Sequence, residues 1–245
     1  MIVMGILDAP APLLAWIDAQ LAGLAPPAAR IAAWGVLGGV VSMLAYRALS
    51  PQERIARGKS AIAVARRELD VYDGDFAGAW PLIRRLLGLS LAQVARSGWP
   101  AVVASLPLLC LLVWLSNAYG HRFPAAGAAP EIHTQPPRYQ TQWRQSDHGG
   151  EPPRIAVLDG NGRMVAKVAL EKPVAVVHKR RWWNALVASP ADYLPADGAL
   201  DSLRIELPRR EYLPFGYDWL RGWETVFFAF LLATSIAMKV GLRIE

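Results

Sequence analysis

Two apolar stretches without a single charged residue flank a highly charged segment in the first half of this chain. Residues 31–46 read IAAWGVLGGVVSMLAY, and residues 99–119 read WPAVVASLPLLCLLVWLSNAY. A third apolar stretch, residues 226–240, contains one charge, Lys239. Stretches of this length and composition are typical of helices that cross the hydrocarbon core of a membrane. We therefore predict an α-helical integral membrane protein whose three transmembrane helices lie within residues 31–49, 98–119 and 218–245.

The charged segment between the first two spans, residues 50–97, has the pattern of an antiparallel helical hairpin. Asp73 to Asp75 supply the turn, and Asp75 can cap the second helix. A heptad seam of apolar and small residues marks one face of the first helix: Ile55, Gly58, Ile62, Ala65, Leu69 and Tyr72. An apolar stripe on the second helix is predicted to pack against that seam: Phe76, Trp80, Ile83, Leu87 and Val94. The alternative is an amphipathic linker that packs elsewhere.

Charge predicts how the chain crosses the membrane. Residues 47–98 contain nine Lys or Arg and five Asp or Glu, and loops of this size with a cationic excess stay in the cytoplasm. The N-terminus is then outside and the C-terminus is cytoplasmic, in a bacterial inner membrane. The net charge of +6 follows from this topology, so we expect no nucleic acid partner. Residues 1–30 are predicted to form an amphipathic helix in the outer interface.

The long segment between the second and third spans, residues 120–217, predicts a small extracytoplasmic β-rich domain of four or five strands. Residues 120–153 are rich in Pro, Gly, Gln and His and are predicted to be an extended connector. Residues 154–170 alternate apolar and polar side chains around Asp-Gly-Asn-Gly at 159–162, which indicates a β-hairpin. Further strands are expected at 174–177 and 203–207, with a short helix or turn at 182–187.

The sequence offers no catalytic motif, and we predict a protein that is not an enzyme, without cofactor or small-molecule substrate. The four histidines have no metal-ligand spacing, so no metal site is expected: His121, His133, His148 and His178. One basic and aromatic cluster stands out and is predicted to contact membrane lipids or a partner protein: Lys179, Arg180, Arg181, Trp182 and Trp183. The alternative is a solvated strand end with two core tryptophans.

The order of these parts resembles the YidC/Oxa/Get/EMC superfamily of membrane protein insertases, and most closely its small archaeal and endoplasmic-reticulum members. The likeness lies in LLAW at 13–16, YRALSPQER at 46–54, DGD at 73–75 and SGWP at 97–100. The chain departs from the bacterial members in two ways. No arginine occupies the middle of the first span, and the domain between the second and third spans is large.

The resemblance implies a shallow polar groove that receives the hydrophilic end of a client membrane protein. The candidate groove-lining residues are Ser42, Arg47, Ser105, Ser116, Asn117, Thr234, Ser235 and Lys239. Two functions follow as hypotheses. The first is an insertase-like factor for membrane protein clients. The second is a scaffold subunit of a larger inner-membrane complex, with the extracytoplasmic domain docking partner proteins.

Overall fold

The computed structural model describes residues 5–50, 52–125, 127–145 and 151–242. Within these ranges, three helices are long and apolar enough to cross a membrane: Pro27–Leu49, Phe76–Tyr119 and Trp223–Gly241. This confirms the prediction of a mostly helical chain with three potential membrane spans and a small β-sheet region. The helices are α1 (Ala11–Leu21), α2 (Pro27–Leu49), α3 (Gln52–Asp70), α4 (Phe76–Tyr119) and α5 (Trp223–Gly241).

Helix α4 runs without a break through both the second half of the charged segment and the second apolar stretch. It contains 44 residues, and the predicted boundary at residues 97 and 98 falls inside it. The Asp75 carboxylate accepts a hydrogen bond from the backbone N–H of Gly78 at 3.1 Å, which confirms the predicted cap. At a rise of about 1.5 Å per residue, α4 is roughly 66 Å long, about twice the thickness of a bilayer's hydrocarbon core.

Six strands in the described part of the chain form two antiparallel three-stranded sheets. One sheet has the order β1 (Ile132–Gln135), β6 (Ser202–Ile205), β5 (Val176–His178), and the other has the order β2 (Gln140–Arg144), β3 (Arg154–Leu158), β4 (Met164–Ala169). Ile155 and Val157 of β3 and Leu203 and Ile205 of β6 are fully or almost fully buried in one cluster, so both sheets contribute to a common core.

The β3–β4 hairpin confirms the prediction made from residues 154–170. Its turn is closed by the Asp159 carboxylate, which accepts hydrogen bonds from the backbone N–H groups of Asn161 and Arg163 at 2.8 and 2.9 Å. Gly162 has a φ of +75°, a conformation that glycine adopts without a steric penalty. The strands predicted at 174–177 and 203–207 correspond to β5 and β6, and a short 3₁₀ helix spans Trp182–Ala185.

The prediction that residues 120–153 form only an extended connector is wrong, because β1 and β2 lie within them. Both strands are short and rich in Gln, Thr and His, and each alternates exposed with half-buried residues. Their inward side chains, which include Ile132 and Trp143, pack against the core cluster. Composition indicated a loop here, whereas the two-residue alternation of a half-buried strand was the more informative signal.

The chain divides into two compact units. The sheet unit comprises Met1–Ile31 and Leu109–Val226, and the helical unit comprises Ala32–Leu108 and Phe227–Glu245. Within the helical unit, α2 approaches α5 closely through glycines. A Cβ atom placed on Gly35 would lie 2.6 Å from the carbonyl oxygen of Phe227, and one on Gly39 would lie 3.0 Å from Cβ of Thr234. Because these contacts advance in the same direction along both helices, α2 and α5 run parallel.

Candidate functional site

Helices α3 and α4 of the helical unit pack side by side in antiparallel directions. At one end, the Gln93 side chain donates a hydrogen bond to the carbonyl oxygen of Ile55 at 3.2 Å. At the other end, Arg85 and Glu68 form an exposed ion pair at 2.8 Å. The heptad seam of α3 is the face that this packing covers, since Ile55, Gly58 and Ala65 are buried.

The predicted apolar stripe of α4 does not pack against α3, so that part of the prediction is wrong. Four of its five residues, Phe76, Trp80, Leu87 and Val94, are more than half exposed, and the fifth, Ile83, is half-buried. The side of α4 that turns towards α3 instead has four half-buried residues at three- and four-residue intervals: Leu82, Leu86, Leu89 and Gln93. This half of α4 therefore has two apolar faces, and their spacing alone provided no basis for choosing between them.

The exposed face of α4 is a candidate binding surface. We call it the outer stripe and define it as Phe76, Trp80, Leu87, Leu91 and Val94, each more than half exposed. Farther along the same helix, Val102 and Leu106 are also exposed. Large contiguous apolar surfaces that are exposed mark sites of contact with another protein or with a membrane. The outer stripe can therefore receive an apolar partner along α4.

Two of the predicted groove residues make contacts between helices of the chain itself. The Ser42 hydroxyl donates to the carbonyl oxygen of Ala104 on α4 at 3.3 Å. Thr234 packs against Gly39 of α2. Ser105 donates to the carbonyl oxygen of Val102 within its own helix at 2.7 Å. The hydroxyls of Ser42 and Ser105 are thus satisfied by backbone carbonyls.

The other predicted groove residues fall in two places. Arg47, in the last turn of α2, and Lys239, in the last turn of α5, are exposed, and Ser235 is half-buried. Ser116 and Asn117 belong to the sheet unit, where Ser116 is exposed. Asn117 lines a cavity of about 360 Å³ together with Trp114, the start of α1 and residues 188–190. Six of the eight candidates therefore belong to the helical unit and two to the sheet unit.

The basic and aromatic cluster at residues 179–183 lies in the sheet unit. Lys179 pairs with Asp201 at 3.0 Å, and Trp183 packs against the ring of His178 with centroids 4.7 Å apart. Trp182, in contrast, is 83% exposed. Arg180 and Arg181 lie beside it in the sequence, and Arg181 is exposed. The cluster thus combines one half-buried tryptophan with one that is available for an external contact.

This cluster is attached to the N-terminal segment by hydrogen bonds. The backbone N–H of Leu7 donates to the carbonyl oxygen of Leu186 at 3.0 Å. The Asp8 carboxylate accepts from the backbone N–H of Ala188 at 2.7 Å. The nearby cavity that Asn117 lines includes residues of α1 and of the last turns of α4. Residues 182–190 are therefore held beside the C-terminal end of a helix that can span a membrane.

A buried polar network that no local sequence pattern indicated joins α1, α2 and α4 within the sheet unit. Arg30 pairs with Asp18 at 2.8 Å, and the Tyr119 hydroxyl donates to the same carboxylate at 2.6 Å. The Arg30 guanidinium also lies 5.7 Å from the centre of the Tyr119 ring. Tyr212 then donates its hydroxyl hydrogen to the carbonyl oxygen of Tyr119 at 2.9 Å. These residues fasten the N-terminal helix to two longer ones.

Two side chains have perturbed pKa values: Tyr212, which belongs to this network, and His121, which follows Tyr119 by two residues. Burial lowers the pKa of His121, the positive charge of Arg209 lowers it further, and Glu224 partly opposes both effects. Burial raises the pKa of the Tyr212 phenol above its ordinary value, while Arg210 acts in the opposite direction. The folded protein therefore favours neutral forms of both side chains.

One cluster has the ligand types and spacing that a metal ion needs. The Nε2 atom of His133 lies 3.4 Å from a carboxylate oxygen of Glu131 and 3.4 Å from one of Glu206. All three side chains are exposed, and exposed acidic groups of this kind are common in proteins without a bound ion. The sequence pattern did not show this grouping, because Glu206 comes from the distant strand segment that pairs with β1. Of the other histidines, His148 lies outside the described residues.

Comparisons of the chain with protein-family models, with curated proteins and with solved structures yielded no match. The contacts and exposed surfaces described above are therefore the observations that bear on what the protein does.

Proposed function

We propose that the protein is an insertase-like factor that assists membrane proteins into a bacterial inner membrane without a cofactor or covalent chemistry. In this proposal the α3–α4 hairpin lies in the cytoplasm, and the sheet unit lies on the outer side. The clients are apolar helical segments that are short or weakly hydrophobic. They bind first to the outer stripe of α4.

The observation that carries the proposal is the continuity of α4. The outer stripe occupies the part of the helix that precedes its apolar stretch, and the same helix then continues to Tyr119. About half of the helix exceeds the thickness of the hydrocarbon core, so the stripe extends beyond it. A client segment that leaves water along this face reaches the membrane without leaving the surface of one helix.

The energetics of apolar contact favour this route. Each 100 Å² of apolar surface that a client and the outer stripe remove from water contributes about 2.5 kcal/mol. Trp80, Leu87, Leu91 and Val94 are spaced by three, four or seven residues, which suits packing against one face of an apolar helix. A contact of this size holds a client transiently and releases it to lipid, where burial of the same surface is as favourable.

In this proposal the hydroxyl groups of Ser42 and Thr234 have a smaller role than they would have as the lining of a polar groove. Ser42 and Thr234 are engaged in contacts between helices of the chain. Arg47, Ser235 and Lys239 remain candidates for receiving the polar end of a client, because they lie near the ends of α2 and α5. The outer stripe therefore makes the first contact, and these polar residues act after it.

Site-specific crosslinking tests the contact directly. A photoreactive amino acid at Leu91, in the outer stripe, should crosslink to a nascent apolar segment in membranes prepared from cells. The same group at Val64, which is exposed on α3, provides a matched control. Equal crosslinking from both positions, or none from Leu91, would contradict the proposal.

Depletion of the protein tests the activity. Quantitative proteomics of the membrane fraction should then show a loss of small membrane proteins, and expression of the wild-type chain should restore them. A Leu91→Glu variant should restore them poorly, whereas a Val64→Glu variant should restore them fully. Unchanged membrane protein levels after depletion would remove the insertase proposal.

A scaffold role is the second candidate. It is favoured by the exposure of most residues on α2, α4 and α5, since a permanent partner helix could cover these faces as well as lipid can. A scaffold subunit would co-purify in mild detergent with fixed partners in constant ratio. An insertase would give many clients in small and variable amounts.

A further inference from the structure

A basic cleft lies between α3 and α4 of the helical unit, apart from the outer stripe. Its volume is about 400 Å³. Three arginines line it, two from the first turns of α3 and one from α4. The full lining is Arg54, Arg57, Gly58, Ala61, Leu89 and Arg96.

The cleft places three positive charges together, with no carboxylate among its described lining residues. Among the described residues, none of the three arginines forms an ion pair with a carboxylate. Arg57 donates from Nε to the carbonyl oxygen of Glu53 at 3.3 Å, which leaves its terminal nitrogens for another acceptor. Guanidinium groups that converge in this way repel one another, and a bound anion relieves that repulsion.

Gly58 makes the cleft possible. A Cβ atom at this position would collide with the Gln93 side chain and would lie 3.7 Å from Nη1 of Arg96. The glycine therefore lets both side chains of α4 approach α3. The Oε1 atom of Gln93 is buried without a hydrogen-bond partner among the described residues.

The position of the cleft points to the chemical class of the ligand. Arg54 follows the end of α2 at Leu49 by five residues, and Arg96 precedes the apolar run that starts at Trp99 by three. The cleft therefore lies where two potential membrane spans leave their apolar stretches. Lipid phosphates occupy this level of a bilayer, whereas free anions and peptides have no reason to concentrate there.

We propose that the cleft binds the phosphate of an anionic phospholipid headgroup. Arg54, Arg57 and Arg96 provide charge-assisted hydrogen bonds to the phosphate oxygens. The site goes beyond the proposed function, because it is defined by lipid binding in the absence of any client.

The test uses the full chain purified in mild detergent. Short-chain phosphatidylglycerol is titrated against it, and thermal unfolding and native mass spectrometry report binding. A variant with Arg54, Arg57 and Arg96 all replaced by Gln should bind the lipid about tenfold more weakly or worse. A matched control replaces Arg66, Arg67 and Arg84, which removes equal charge outside the cleft, and should bind like the wild type.

Two further arms separate the cleft from general effects. An Ala61→Leu variant keeps every charge but fills the cleft, and it should lose binding even if the triple arginine variant folds poorly. Phosphatidylcholine and inorganic phosphate are tested alongside phosphatidylglycerol. Equal loss in the cleft and control variants would overturn the proposal. Equal binding of phosphatidylcholine, or full competition by inorganic phosphate, would overturn the assignment to an anionic lipid.

Discussion

The guanidinium of Arg30 lies 2.8 Å from the carboxylate of Asp18, and each side chain is only 14% exposed. The hydroxyl of Tyr119, 101 residues farther along the chain than Asp18, donates to the second oxygen of the same carboxylate. This arrangement joins α1 to the start of α2 and the end of α4. The N-terminal helix is therefore fixed within the sheet unit by a charge pair and a hydrogen bond.

Breaking this pair should destabilise the protein. Asp18→Leu or Arg30→Leu alone leaves one mostly buried charge without its partner, at an expected cost of about 2–4 kcal/mol. The double variant removes both charges and should recover part of the loss. Thermal unfolding of all four proteins in detergent gives the coupling energy. Additive effects of the two single changes would show that the ion pair contributes nothing.

The close approach of α2 and α5 predicts opposite effects for two glycine substitutions. Gly35→Ala places a methyl group against the carbonyl oxygen of Phe227, and backbone cannot move aside, so a loss of about 1–3 kcal/mol is expected. Gly88→Ala, on α4, meets nothing within 4 Å and should stabilise the helix by about 0.5–1 kcal/mol. Thermal unfolding in detergent measures both. Equal effects at the two positions would contradict the packing of α2 on α5.

The lowered pKa of His121 predicts a loss of stability in mild acid. The folded protein holds this side chain neutral below its ordinary pKa of 6.5, whereas the unfolded chain protonates it near that value. Above pH 6.5 the side chain is neutral in both the folded and the unfolded state, and its burial costs nothing. As the pH falls from 6.5 to the pKa of the folded state, the unfolded chain binds a proton that the folded protein does not, so the free energy of unfolding decreases. A His121→Asn variant should therefore show a flatter dependence of melting temperature on pH between about 5 and 7.5.

A His133→Asn variant serves as the control for this pH experiment, because its imidazole is exposed on the sheet. It leaves His121, Arg209 and Glu224 in place. If the two variants flatten the pH profile equally, His121 is not the responsible group.

The position of Trp182 predicts contact with a membrane surface. Its side chain is 83% exposed beside Arg180 and Arg181, on a segment that hydrogen bonds attach to the N-terminal residues. An environment-sensitive dye is attached to the thiol of a Trp182→Cys variant in a Cys110→Ala background. The dye should emit at shorter wavelength in vesicles of equal parts phosphatidylcholine and phosphatidylglycerol than in vesicles of phosphatidylcholine alone.

Two controls give this measurement a clear outcome. Replacing Arg180 and Arg181 by Gln should remove the difference between the two vesicle types. The same dye on a Met164→Cys variant, at a position exposed on β4, reports a site outside the cluster. Identical emission from both positions in both vesicle types would refute the lipid contact.

The sequence predicted those features whose signal is local. Apolar stretches located α2, the second half of α4 and α5, the heptad seam located the buried face of α3, and Asp159 to Gly162 located the β3–β4 turn. Each of these signals lies within one continuous segment of the sequence. For these features, the residues that determine the structure are close together in the sequence.

The features that the sequence did not predict depend on distant partners. Helix α4 carries apolar residues on two faces, and only the position of α3 determines that Leu86 is inward and Leu87 outward. Strands β1 and β2 are too short and too polar to stand out, and they are stabilised by pairing with β6 and β3. The network of Asp18, Arg30 and Tyr119 joins three separate segments, so no local spacing of residues predicts it.

The parallel arrangement of α2 and α5 sets an order of events during biosynthesis. The glycine face of α2 emerges from the ribosome well before the helix that covers it, because α5 follows α2 by more than 170 residues. All of residues 120–222 must be synthesised before that partner arrives. Until α5 is made, α2 therefore exposes an unfilled helix surface, and the synthesis of α5 is the step that covers it.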